Sequence, residues 1–309
     1  MIPKVAHFIW LGPGLLWVHR LALLSAAKRG GFEQVVLHHD GALAGHVPAD
    51  LAEVPSIELR TLDPIGLVES AGGGALVACY RALEAPAARV NLLRMAVLAR
   101  EGGVYLDADT VTLRSFDELT AAGGAFCGEE RLIFPGPHSS SLSRLHPSAL
   151  ARMALRDVFR RLPGGYRGFR HVERFYPKAV NNAVLGAEAN HPLLVELLAR
   201  AARLSASRRT VRYALGTHLL QEVVADYAGS DLHVLPPEAF FPLGPEISEH
   251  WFRERPGVEL DEVLGPRTLL VHWYASVRTR QYVEQIDASF VAAHAERQLF
   301  SALARRALG

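Results

Sequence analysis

Lysine is almost missing from this 309-residue chain: Lys4, Lys28 and Lys178 are the only ones, so its basic charge is nearly all arginine. An excess of either sign is missing too. The formal net charge is +1, which gives no reason to expect a nucleic-acid partner or a membrane-surface footprint. Cys79 and Cys127 are the only cysteines and are not in C-x-x-C spacing, which excludes a disulfide framework and a zinc knuckle. Met1 is followed almost at once by the strand-like run 5–11 with no basic segment before it, so no secretory leader is expected. The apolar stretch 15–27 is interrupted by His19 and Arg20 and falls short of the ~20 residues that span a bilayer. No stable membrane insertion and a cytoplasmic location are therefore expected. With 50% hydrophobic and 21% charged residues, the composition is that of an ordinary globular protein.

What is present is an alternation of short apolar runs and helical periods. Residues 5–11 read as a strand closed by Gly12-Pro13-Gly14, 15–29 as a helix that Gly30-Gly31 ends, 34–38 as a second strand and 57–62 as a third. Strand, helix, strand in that order predicts a parallel βαβ start. The run Ala71-Gly72-Gly73-Gly74 reads as a loop, 86–101 as a helix and 125–129 as a strand. Residues 134–144, rich in Pro, Gly and Ser, read as a surface loop or a lid facing an acceptor. Helices are predicted over 148–161 (broken by 163–169), from Asn190-His191-Pro192 with Asn as cap and Pro in the first turn, and over 217–227. Short strands over 232–235 and 268–273 and a single amphipathic helix over 288–308 complete the chain. Without an internal repeat or a long linker, one domain of residues 1–309 is expected.

The most informative stretch is 89–116. Val90, Leu93, Val97 and Leu98 recur at helical spacing, with Arg94 inside the apolar stripe and Asn91 one turn before it. Gly102-Gly103 ends that helix. Val104-Tyr105-Leu106 is a compact strand with Asp107 and Asp109 at its carboxyl end, where open α/β sheets bind ligands. Two carboxylates so close repel unless a cation lies between them. A buried Arg94 needs an anionic partner.

Three readings of the pair compete. Asp107 and Asp109 can simply begin a turn. Val104-Tyr-Leu-Asp-Ala-Asp-Thr-Val also satisfies the aspartyl-phosphatase signature in which Asp107 would attack phosphorus. That chemistry needs a later lysine and a downstream acidic pair, and only Lys178 follows. Third, Arg94, Gly102, Gly103, Tyr105, Asp107 and Asp109 match a motif of glycosyltransferase family 32, the group with the DXD sugar-binding motif, and the stretch also resembles the glucosyltransferase domain of the large clostridial toxins. Val5-Ala-His-Phe-Ile-Trp-Leu-Gly is similar to the first strand of those enzymes, and Val271-His272-Trp273-Tyr274-Ala275-Ser276 resembles their C-terminal His-containing segment. The chain departs from the pattern at Asn91, where Asp is usual, and near Val277, where a Trp often closes the last motif.

The resemblance implies an α/β fold of GT-A type, a Rossmann-like mixed sheet flanked by helices. Residues 1–120 would form the nucleotide-sugar-binding part, and 121–309 the acceptor side and C-terminal helix. It further implies a retaining hexosyltransferase that uses a UDP-sugar and Mn²⁺ (or Mg²⁺), acting on a glycan, a natural product or a protein. Asp109 is the expected direct metal ligand, with Asp107 on the sugar, the ribose or the metal through water. Trp10 would stack on uracil, Arg94 would hold sugar or phosphate, and Asn91 and Asn182 would contact the donor. Tyr105 either lines the pocket or packs under the sheet. His272 is either a third metal contact or a buried imidazole bonded to a carbonyl. His38 and His39 end the second strand without an assigned role. The alternative within the same family is a nucleotide-sugar-binding relative without catalysis.

Overall fold

The computed structural model describes residues 1–43, 48–134, 146–209, 211, 213–275 and 279–309. Its strands are β1 (Val5–Trp10), β2 (Gln34–His39), β3 (Ile57–Thr61), β4 (Gly103–Leu106), β5 (Thr110–Thr112), β6 (Ala125–Arg131), β7 (Lys178–Ala187), β8 (Leu232–Leu235) and β9 (Leu270–His272). Seven of them form one sheet in the order β3-β2-β1-β4-β7-β6-β8, and β5 pairs with β9 in a second, two-stranded sheet. In the large sheet β7 alone runs against the others. The fold is thus the expected mixed α/β sheet, mainly parallel and flanked by helices.

Both faces of the sheet are covered, which is why the central strands read as continuous apolar runs rather than alternating ones. Helices Pro64–Arg81, Pro86–Glu101, Pro192–Arg203 and Leu219–Asp226 share one core with Ile9, Tyr105 and Leu185. Helix Trp17–Arg29 covers the other face, where Ala22, Leu23 and Ala26 meet Phe8, Val35, Leu37 and Leu106. A third core gathers Trp251, Phe252, Trp273 and Phe300 near the C-terminal helix Leu299–Leu308. Among the described residues no helix is long and apolar enough to cross a membrane.

Four local expectations change. The glycine run at 71–74 lies within the segment Pro64–Arg81, helical on both sides of a kink at Gly72 and Gly73; Gly73 at φ 64° breaks the helix there without forming a separate loop. The cap before Pro192 is His191, whose imidazole accepts from the Leu193 N–H, while Asn190 turns left-handed at φ 56°. The last segment is two helices, Ala288–His294 and Leu299–Leu308, because Gln298 turns its side chain inward to donate to the Phe252 carbonyl. Before Leu219–Asp226 the backbone forms a π turn, Ala214–His218, distorted at Gly216. Of the expected lid or loop over 134–144, only Phe134 is described; the remainder lies outside the described residues, as does Val277.

Candidate active site

β1 ends at Trp10 and β4 at Leu106, neighbouring parallel strands from which the chain departs to opposite sides of the sheet, after β1 to β2 and after β4 through β5 to β6. That arrangement is the switch point at which a crevice opens beyond the strands' carboxyl ends. Two glycines deliver the aspartates there. Gly102 closes helix Pro86–Glu101 with its N–H on the Leu98 carbonyl at 2.8 Å. Gly103, at φ 98°, lies so close to β1 that a Cβ would come within 2.6 Å of the Val5 carbonyl oxygen, so a side chain there would force the strands apart. After β4 the chain turns sharply. The Thr110 hydroxyl donates to the Asp107 carbonyl at 2.7 Å, and β5 then enters the small sheet with Thr110 opposite His272.

Trp10, Asn91, Arg94, Tyr105, Asp107, Asp109, Asn182 and His272, the residues singled out above, all line one cavity of about 470 Å³. Arg94 is 5% exposed and has the anionic partner its burial requires: its guanidinium lies 3.0 Å from Asp107 Oδ1. It also donates to the Asn182 carbonyl and sits 4.3 Å over the Tyr105 ring. The Tyr105 hydroxyl donates to the same Asp107 oxygen at 2.8 Å, so Tyr105 both packs under the sheet and reaches the cavity. Asp109 accepts from His272 Nε2 at 2.9 Å and from the Ala275 N–H at 2.7 Å. The Asn182 side-chain amide donates to Asn91 Oδ1 at 2.9 Å.

The two carboxylates are electrostatically unequal. Burial would push Asp109 up, but His272 and the two hydrogen bonds hold it down to about 2. Burial raises Asp107 in spite of Arg94, and the neighbouring Asp109 adds to the rise. His272, which burial alone would lower, is raised by Asp109. Ligand atoms of Asp107, Asp109 and His272 lie within 4.8 Å of one another. Two carboxylates and an imidazole are a donor set that a first-row divalent cation accepts.

Several cavity residues had no role assigned from the sequence. Glu130 is buried, accepting from the Tyr274 hydroxyl at 2.8 Å and from the Asn181 amide at 2.7 Å, and burial raises its carboxyl. Tyr274 is a left-handed residue at φ 59°, a strained conformation of the kind that gathers at functional sites. The His19 ring lies 4.6 Å from Trp10, tilted at 44°, and is pushed down to about 4 by burial, so it is a neutral imidazole at the cavity wall. At Gly216 a Cβ would stand 2.9 Å from the Asn91 amide nitrogen, which is why no side chain fits there. A Trp-to-His contact and a Tyr–Glu–Asn network join segments distant in sequence, which no local pattern reveals.

His38 and His39 lie elsewhere. His38 Nε2 is 3.0 Å from His7 Nδ1 inside the sheet, and His39 Nδ1 accepts from the Gly41 N–H. Lys178, the lysine that a phosphatase would need, is exposed and paired with Glu129, and it does not line the cavity.

Residues 54–123, which include helix Pro86–Glu101, β4 and both aspartates, match the family described as the glycosyltransferase sugar-binding region containing the DXD motif. Among solved structures the chain is similar to the PaToxG glycosyltransferase at 16% identity, covering 73% of this chain and 69% of that one with a TM-score of 0.46. It is also similar to the glycosyltransferase domain of the YGT toxin. The ligand-free form is 9% identical, with 95% of this chain and 88% of that one covered and a TM-score of 0.45. For the UDP-bound form the values are 10%, 97%, 80% and 0.35. No curated protein matches this sequence.

Proposed function

Starting from a chain that carries the DXD glycosyltransferase sugar-binding region, we propose that it is a retaining, metal-dependent transferase that moves a hexose or N-acetylhexosamine from a UDP-sugar to an acceptor hydroxyl. The observation that carries this reading is the convergence of Asp107, Asp109 and His272 within 4.8 Å, in the same cavity as Trp10 and Arg94.

Asp109 and His272 would hold the cation, with Asp107 beside them. The imidazole makes Mn²⁺ the better fit and Mg²⁺ the poorer one. Bound there, a divalent cation offsets the charge that grows on the departing diphosphate. The remaining work belongs to side chains. Trp10 presents an aromatic face at the cavity wall, suited to stacking on a uracil ring. Arg94, fixed by Asp107 and Tyr105, keeps a guanidinium where a sugar hydroxyl or phosphate oxygen can accept from it. The Asn91 and Asn182 amides, already bonded to each other, offer their remaining donors and acceptors to sugar hydroxyls. In a retaining reaction on one face of the sugar, the donor's own diphosphate takes the acceptor's proton, so no enzyme nucleophile is assigned.

The test is UDP release from a panel of UDP-sugars with and without Mn²⁺, with the product's anomeric configuration read by NMR. Full activity in the presence of a chelator, or in Asp109→Asn, would sink the metal-dependent reading, and an inverted product would sink retention. The non-catalytic alternative predicts Mn²⁺-dependent UDP binding by calorimetry without turnover of any donor.

A further inference from the structure

One helix of this protein leaves an apolar stripe exposed. Helix Pro147–Arg161 follows Phe134, a wall residue of the donor cavity, by a short stretch of chain, and only Ala149 on it is buried. Leu150, Leu155, Val158 and Leu162 are 47%, 38%, 53% and 48% exposed. With Ala151 and Ala154, also exposed, they recur at the spacing of a single helical face. The opposite face packs Ala149, Met153 and Phe159 against the third core and also carries paired arginines. Arg156 pairs with Asp157 at 2.9 Å and with Glu246 at 3.3 Å, and Arg160 pairs with Glu249 at 2.5 Å. A continuous exposed apolar stripe marks an interaction surface.

Charge says what covers it. The whole chain has a net charge of +1, but residues 147–175 contain seven arginines and two carboxylates. Among the described residues, Arg152, Arg161, Arg170 and Arg174 have no carboxylate within ion-pair distance, and Phe175, beside Arg174, is 62% exposed. At the C-terminal end of the stripe, Arg161 borders a cavity of about 680 Å³ whose wall also carries Arg253, Arg255 and Glu254. Glu254 is engaged by His294 and Arg297. An exposed apolar stripe that ends at Arg161, beside Arg253 and Arg255, in a segment with surplus arginine, is the pattern of a helix that lies in the plane of an anionic lipid surface.

We propose that helix Pro147–Arg161 docks this protein peripherally on an anionic phospholipid bilayer, its apolar stripe at the acyl boundary and the surplus arginines at the headgroups. This reading does not depend on the donor or the metal, and it needs no spanning segment.

The test is flotation of the full chain with vesicles of phosphatidylcholine alone, and with about a third phosphatidylglycerol. The protein should float with the anionic vesicles, release at high salt, and stay free of the neutral ones. Leu155→Glu with Val158→Glu should lower the anionic partition coefficient at least about tenfold, and Arg161→Ser with Arg174→Ser about fivefold for each charge removed. All four positions are surface sites, so thermal unfolding and UDP binding should match the wild type and certify the fold. Absence of flotation with either vesicle overturns the proposal, as does equal flotation of wild type and Leu155→Glu/Val158→Glu. A concentration-dependent dimer that those substitutions abolish, without vesicle binding, would assign the face to a second copy of the chain and likewise overturn it.

Discussion

Replacing Arg94 with Met probes the electrostatic centre of the site while nearly keeping its volume. The guanidinium is 5% exposed, faces Asp107 at 3.0 Å, donates to the Asn182 carbonyl and covers the Tyr105 ring at 4.3 Å. Removing one partner of a buried ion pair costs about 3–5 kcal/mol. The Asp107 side chain is 25% exposed, so water and the Tyr105 hydroxyl recover part of that, and a loss of about 2–3 kcal/mol is expected. Unfolding entropy scales at roughly 2 cal/mol/K per residue, so in a 309-residue chain this loss lowers Tm by about 3–5 °C. The assay is thermal unfolding in chelator, so that no cation replaces the missing charge. Arg94→Met with Asp107→Asn removes both charges and should recover part of the loss, giving a coupling of about 1.5 kcal/mol or more. Arg94→Lys keeps the charge but not the fork and should fall between. A Tm within 1 °C of wild type for Arg94→Met, or strictly additive losses in the double variant, would refute the claim that this pair holds the site together.

Other consequences are read independently. Asp109→Asn removes the carboxylate that accepts from His272 and Ala275, and Mn²⁺ binding by calorimetry should weaken at least tenfold; unchanged affinity would remove Asp109 from the ligand set. Trp10→Ala should weaken UDP binding by about 5- to 150-fold, the range of one lost base stack, with Trp10→Phe much milder; equal Kd values for all three proteins would place the base elsewhere. Acid stability tests the buried histidines. His7 is pushed down to about 4 and His38 to about 3, chiefly by burial. Both are therefore neutral in the fold, while the unfolded chain takes up protons below about 6.5. The stability they confer is complete above that pH and is lost as pH falls towards their folded values, on the order of 2–3 kcal/mol each by pH 4.5. Urea midpoints should drop between pH 7 and 4.5, and a flat profile over that window would contradict the neutral pair.

The sequence showed the site's carboxylates and little of its wall. Asp107, Asp109 and Arg94 are readable because strand end, glycine stop and buried cation occur within one continuous stretch, where local rules act. Trp10 and His272 were found through motif resemblance, and the fold brings them to the same cavity by pairing β1 with β4 and β5 with β9. What escaped depends on distant pairing. β7, the antiparallel strand that supplies Asn181 and Asn182, has two consecutive asparagines at its middle and a glycine near its end, so neither strand propensity nor alternation signals it. Those asparagines are stable within the sheet because Glu130 and Asn91, on other elements, accept from them. The split of the C-terminal segment likewise hangs on Gln298 reaching the Phe252 carbonyl, 46 residues away in sequence. Helix Pro147–Arg161 was predicted where it lies, but its period gives only that two faces differ, not which of them meets solvent.

UDP release from a UDP-sugar panel, titrated with Mn²⁺ and then stripped with chelator, tests the central claim most directly. The account predicts turnover of at least one donor that rises with Mn²⁺, falls to background in chelator, returns when Mn²⁺ is restored, and is absent in Asp109→Asn. Turnover that persists in chelator, or survives in Asp109→Asn, would contradict it.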